Sequence, residues 1–169
     1  MLQQLKRLLH HRWLDEGDTR RAIPTDLVER LMRRVTASEQ RHSGEVRICV
    51  EASLPSSYIW HNATARERAV MMFSKLRVWD TAHNNGVLIY LMLAEHAIEI
   101  VADRGLNEKV SPAQWQAIAQ TMSQAFKHQQ YEDGLTQALE EVSALLVAHY
   151  PVAAGTTRRN ELPDTPVLG

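Results

Sequence analysis

"GVLIYLMLAEHAIEIVAD", residues 86–103, is the stretch whose reading decides the fold. Residues 87–94 are apolar at odd and even positions alike, so a strand built from them is covered on both faces. The run is far shorter than the roughly 20 residues a membrane helix needs. Asn84, Asn85 and Gly86 bound it in front and Glu95-His96 behind, as turns bound a central strand. "AIEIVAD" (97–103) follows at once with strand character of its own. So short a connection makes an antiparallel hairpin.

Outward from the hairpin, periodicity supplies the other elements. "EVRICVEA" (45–52) alternates Val46, Ile48 and Val50 with Glu45, Arg47 and Glu51, a strand with one polar face. Thr64 and Glu67 form a capping box for a helix running to about Trp79. Ser111-Pro112 with Gln114 opens another, whose buried stripe is Trp115, Ile118, Ala119, Met122 and Phe126. Tyr131, Leu135, Ala138, Val142 and Leu145 mark the last helix. Asp26 with Glu29 reads as a capping box for a helix carrying Leu27, Leu31 and Val35. The fold class is therefore α/β, an α/β/α sandwich with a small mixed sheet and helices on both faces. The strands at 45–52 and 87–94, joined through a helix, are expected to be parallel.

Three segments follow. Residues 1–24 are an N-terminal amphipathic helix (Leu2, Leu5, Leu8, Leu9 and Trp13 among Lys6, Arg7, His10 and Arg12) and a polar linker. Residues 25–150 are the domain. Residues 151–169 have no periodicity and read as a flexible C-terminal tail.

The net charge of -1 gives no global attraction to nucleic acid. Residues 1–42 hold nine Lys/Arg against six Asp/Glu, and residues 43–150 hold eight against twelve, so the excess acid lies in the body. The single cysteine, Cys49, excludes a disulfide framework and sits in a strand as a packed, inert thiol. There is no signal peptide and no transmembrane segment, and a soluble, cytoplasmic protein is expected. Glycines stand at 17, 44, 86, 105, 134, 155 and 169, too scattered for a phosphate-cradling loop, so no nucleotide cofactor is expected.

One constellation carries chemistry. Pairing positions that sum to about 190 sets Val87 opposite Asp103 and Asn85 beside Gly105. Asp80, Asn84, Asn85, Asp103, Arg104 and Glu108 then meet at one sheet edge from two loops. Calcium and magnesium want several oxygen ligands, which the five acids and amides offer, and Arg104 is suited to clamp a phosphate. The same residues also read as turn chemistry, since Asn84, Asn85 and Gly86 suit left-handed backbone. At the opposite edge, "SLPSSYIWHN" offers Tyr58, Trp60 and His61 as pocket lining or simply as a packed loop. No catalytic residue is assigned.

"HNNGVLIYLMLAEHAIEIVADRGLNEKV" followed by a helix and "FKHQQYEDGLTQALEEV" resembles the TPM domain family over about residues 25–150. The likeness is carried by "NNGVL", the hairpin, the Gly105-Leu106 step and "YEDGL". It is closest to bacterial members without a signal peptide or membrane anchor. The resemblance implies an α/β/α sandwich, a divalent-cation site and a weak acid phosphatase activity. Where the family often has glycine two before the Gly-Leu step and glutamate just after it, this chain has Asp103 and Asn107, with Glu108 one further on. The rival expectation is a non-catalytic assembly module that meets a protein partner through residues 1–20 or 151–169.

Overall fold

The structure, a computed structural model, describes residues 7–9, 11, 13–153 and 159–169. Most of the expected N-terminal helix lies outside the described residues. Helices α1 (Glu16–Ala22) and α2 (Thr25–Glu39) precede β1 (Val46–Glu51). Then come α3 (Ser56–Trp60), α4 (Ala65–Lys75), β2 (Val87–Met92), β3 (Ala97–Ala102), α5 (Arg104–Asn107), α6 (Pro112–Lys127), α7 (Tyr131–His149) and β4 (Val167–Leu168). The four strands form one mixed sheet in the order β3-β2-β1-β4. β1 runs parallel to β2 and to β4, and β2 is antiparallel to β3.

β2 behaves as its sequence demands. Val87, Ile89 and Leu91 enter one core with residues of α2, α6 and α7, while Leu88, Tyr90 and Met92 enter a second core with residues of α3 and α4. Helices thus cover both faces, as the continuous apolar run required. The capping boxes of Thr64 with Glu67 and Ser111 with Gln114 both form. That of Asp26 with Glu29 does not. α2 starts from Pro24 without a side-chain cap, and Asp26 inside its first turn pairs with Arg30. The 14–24 segment, expected as a linker, instead holds α1, capped by a reciprocal box between Asp15 and Asp18. α4 stops at Lys75, short of Trp79, because Arg77 takes a left-handed backbone (φ 56°).

The hairpin register is one residue from the expected one. Val87 pairs with Ala102, and Asp103 donates its N–H to Gly86 O at 2.9 Å. A four-residue turn, 93–96, with His96 at φ 46°, accounts for the shift.

The larger revision concerns β1 and the tail. The polar face of β1 is not solvated: Glu45, Arg47 and Glu51 are all buried. Residues 159–169, expected as a flexible tail, lie along it. Glu45 accepts the N–H groups of Glu161 (3.2 Å) and Leu162 (3.1 Å), and Arg47 donates to the carbonyls of Pro163 and Thr165. β4 then adds to the edge, with Gly169 N–H on Val50 O and Ala52 N–H on Gly169 O, both at 2.9 Å. Only two residues pair as a strand, too few to leave a periodic signal.

Candidate functional site

The hairpin edge gathers four short segments: the 79–86 loop, the start of α5, the end of α7 and Ser43. Thr81 organises the loop by accepting Asn85 N–H on its hydroxyl at 3.1 Å and Asn84 N–H on its carbonyl at 3.2 Å. Asn84 is left-handed, φ 51°, a conformation its short polar side chain tolerates. Gly86 is glycine because a Cβ there would stand 1.9 Å from Val78 O. Asp103 caps α5, its Oδ1 accepting Arg104 N–H at 2.7 Å. Gly105 N–H donates to Asn84 O at 3.0 Å, joining α5 to the loop.

The expected site residues divide into two groups. Asn84, Asn85, Asp103 and Arg104 come together. Arg104 donates to Asn84 Oδ1 at 3.2 Å, and Asn85, almost wholly buried, donates its amide to Ser43 Oγ at 3.2 Å. Asp80 is instead held by Arg77 at 2.6 Å on the surface, and Glu108 is exposed at the end of α5. Among the described residues, no three His, Cys, Asp or Glu side chains gather as a metal cluster.

What the edge does hold is uncompensated oxygen. Asn85 Oδ1 and Asp103 Oδ2 are buried atoms without a hydrogen-bond partner among the described residues. Orphaned buried oxygens are uncommon and costly, because desolvation is not repaid. Two residues beyond Asp103, three further oxygens converge over Gly105. A Cβ on that residue would lie 2.7 Å from Asn84 O, 2.8 Å from His83 O and 2.9 Å from Tyr150 Oη. Tyr150 is steadied by Lys109, whose ammonium lies 4.0 Å from its ring centre. Sequence reading missed Tyr150 and the His83 carbonyl, since both depend on how the end of α7 meets the loop. Glu161, from the C-terminal segment, also reaches this edge and accepts Ala82 N–H at 2.9 Å.

The opposite edge, at the carboxyl ends of β1 and β2, is closed by side chains. Glu51 accepts Arg68 Nε at 2.7 Å, Arg68 Nη2 at 2.5 Å and Tyr90 Oη at 2.7 Å. The Arg68 guanidinium stacks 5.1 Å from the Tyr58 ring centre. The hydrogen bond to Glu51 strengthens Arg68's hold on its proton, and burial raises the Tyr90 phenol above its ordinary range. Tyr58 therefore packs on a filled edge rather than lining an open one. Trp60 points outward, and His61 bonds back to Ser57 O at 2.7 Å. Cys49, fully buried in the strand between these groups, has its thiol pushed up to about 12 by burial.

Comparison with known proteins agrees with this architecture. The family model of the TPM domain matches residues 18–145. Among solved structures, the BA42 protein from the psychrophilic bacterium Bizionia argentinensis superposes with a TM-score of 0.71 at 26% identity, over 83% of this chain and 91% of that one. The N-terminal domain of a protein from P. gingivalis shares the fold, with a TM-score of 0.60 at 18% identity, over 78% of this chain and 83% of that one. No curated protein matches the chain. No helix among the described residues is long and apolar enough to cross a membrane.

Proposed function

We propose, starting from a chain that belongs to the TPM domain family, that the β2/β3 edge binds a divalent cation, calcium or magnesium, through oxygen donors alone. The observation that carries the reading is the pair of orphaned buried oxygens, Asn85 Oδ1 and Asp103 Oδ2. They stand on segments tied together by the Asp103 N–H to Gly86 O bond. A hard cation favours this donor chemistry, and amide and main-chain oxygens serve it as readily as carboxylates. The residues that would hold the ion are Asn85 and Asp103, together with the carbonyls of His83 and Asn84 and the Tyr150 hydroxyl that converge over Gly105. One carboxylate in such a set makes a weak site. Asp80 and Glu108 stand at its margin, and recruiting Asp80 would require it to leave Arg77.

The reading extends to a weak phosphatase activity. Arg104 is exposed at the lip with its guanidinium bonded, among the described residues, to Asn84 alone, which leaves donors for a phosphate. A bound cation supplies Lewis-acid polarisation of a phosphoryl oxygen. Arg104 would orient the anion for attack by water, with inorganic phosphate and an alcohol as products.

The test is an amide NMR titration of metal-stripped protein with calcium, then magnesium. Saturable shifts confined to residues 83–86 and 103–108 are expected, and Asp103→Ala should abolish them while its remaining spectrum stays folded. No movement at millimolar metal would reduce the edge to turn chemistry. Hydrolysis of p-nitrophenyl phosphate, dependent on the cation and lowered by Arg104→Gln, tests the extension separately.

A further inference from the structure

β3 ends the sheet on one side, and β2 is its only strand partner among the described residues. Its main-chain groups divide by register. Val87 and Leu93 send their N–H groups to β1, at Glu45 O and Glu51 O. Alternate residues of a strand bond to opposite sides, so Leu88, Tyr90 and Met92 serve β3. Their partners are Val101, Glu99 and Ala97, and Asp103 N–H on Gly86 O continues the series. Ile98, Ile100 and Ala102 therefore turn N–H and C=O away from the sheet. Side chains take up two of these outward groups. Arg66 of α4 donates to Ile100 O at 2.6 Å, and Asn107 of α5 donates to Ala102 O at 2.7 Å. Each supplies one N–H where a neighbouring strand would. Ile98 O and the N–H groups of Ile98 and Ile100 have no partner among the described residues.

This open stretch lies in a groove of about 850 Å³, between Arg66 on the α4 side and Pro112, Trp115 and Ala119 on the α6 side. Its two walls differ. Ile98 and Ile100 share a core with Trp115 and Ala119, so residues placed opposite them would point to an apolar wall. Glu99 lies on the other face, 3.5 Å from Arg66, and burial raises its carboxyl above the usual range. Arg66 is divided between Glu99 and Ile100 O, and a second cation beside Glu99 would offset its burial. The other acid on the groove, Glu95, is already paired with Arg7 and His11.

We infer that this groove binds an extended peptide segment of another protein, which adds to β3 as an antiparallel fifth strand. The peptide carries an apolar side chain opposite Ile98, a lysine or arginine opposite Glu99 and a second apolar side chain opposite Ile100. The occupant is a strand because the open groups are main-chain donors and acceptors two residues apart, about 7 Å along the edge, a spacing that another extended backbone matches. Antiparallel pairing is the more stable per residue, which favours it for so short a contact. On binding, Arg66 yields Ile100 O to a peptide N–H and turns to Glu99.

Amide NMR of the full chain with the end-blocked peptide Ser-Val-Lys-Val-Ser tests it. Saturable shifts and slowed hydrogen exchange are expected at the Ile98 and Ile100 amides. Methylating both valine nitrogens removes the donors that face β3 and should weaken binding at least about 25-fold, from about fivefold for each main-chain hydrogen bond. Methylating the lysine nitrogen, which faces away from β3, should leave binding unchanged. Glu99→Gln should weaken the peptide about threefold, as for a part-exposed ion pair. Three results would overturn the inference: no movement of either amide at millimolar peptide, equal binding of the valine-methylated peptide, or the same amide shifts arising without peptide as protein concentration rises, which would assign the edge to a second copy.

Discussion

Replacing Glu51 by alanine isolates what holds the closed edge of the sheet. Glu51 and Arg68 are 7% and 8% exposed, and Tyr90 is wholly buried. The carboxylate receives three hydrogen bonds, two from Arg68 and one from Tyr90. Removing it strands a buried guanidinium and a buried phenol together. Breaking one partner of such a pair costs about 3–5 kcal/mol. At about 2–4 °C per kcal/mol for a chain of this size, Tm should fall by about 6–20 °C. The double variant Glu51→Leu/Arg68→Met removes both charges and keeps the volume, so it should recover most of the loss. Equilibrium urea unfolding is the assay, with the midpoint falling and the slope constant. A loss below about 1 kcal/mol for Glu51→Ala would place the pair in the class of surface ion pairs and refute the reasoning. So would a double variant less stable than the single.

The remaining expectations address other parts of the molecule. Truncation after residue 158 should lower the unfolding free energy from urea titration by several kcal/mol, because it leaves Glu45 and Arg47 buried without the backbone partners that residues 161–165 supply. Cys49 should resist a thiol-selective reagent at neutral pH in the folded protein and react fully in urea, since burial keeps the thiol protonated up to about 12. Glu132 has its pKa lowered, first by its hydrogen bond to Arg30, so the stability it contributes is present above the ordinary carboxylate range, about 4.3, and is lost as pH falls through the lowered value. Unfolding measured from pH 7 downward should therefore show a shallower acid limb in Glu132→Gln. An unchanged limb would count against the pairing.

The central hairpin and the helical layers were legible because each is written in a period. β2 has no polar position to solvate, and α6 and α7 each carry a stripe that faces a single core. β1 was harder, because its alternation was real but its polar face was not at the surface. Glu45, Arg47 and Glu51 alternate as a half-exposed strand would, yet each meets a partner from another segment: the 161–165 backbone for the first two, Arg68 for the third. No local pattern distinguishes a carboxylate in water from one capping two backbone N–H groups more than a hundred residues away. The acidic character of β1, beside a C-terminal segment with free backbone donors, was the one available signal, and it is a matter of complementarity rather than period.

The candidate site shows the same division between composition and placement. Reading acids and amides as potential ligands selected five positions, and the one-residue shift in register decided which of them converge. With Gly86 rather than Val87 opposite Asp103, the Asp103 carboxylate is left beside the loop that presents Asn85 and the carbonyls of His83 and Asn84. Asp80 already had a nearer cation in Arg77, three residues before it. An oxygen is available to a metal only after its local partners are counted, and local partners are what an exposed helix end supplies in excess. Asn85 and Asp103 each keep one oxygen that the fold leaves unpartnered, and both are held by backbone bonds that fix the loop and the start of α5. That is why a buried amide and a capping carboxylate, rather than the exposed acids, carry the argument for the site.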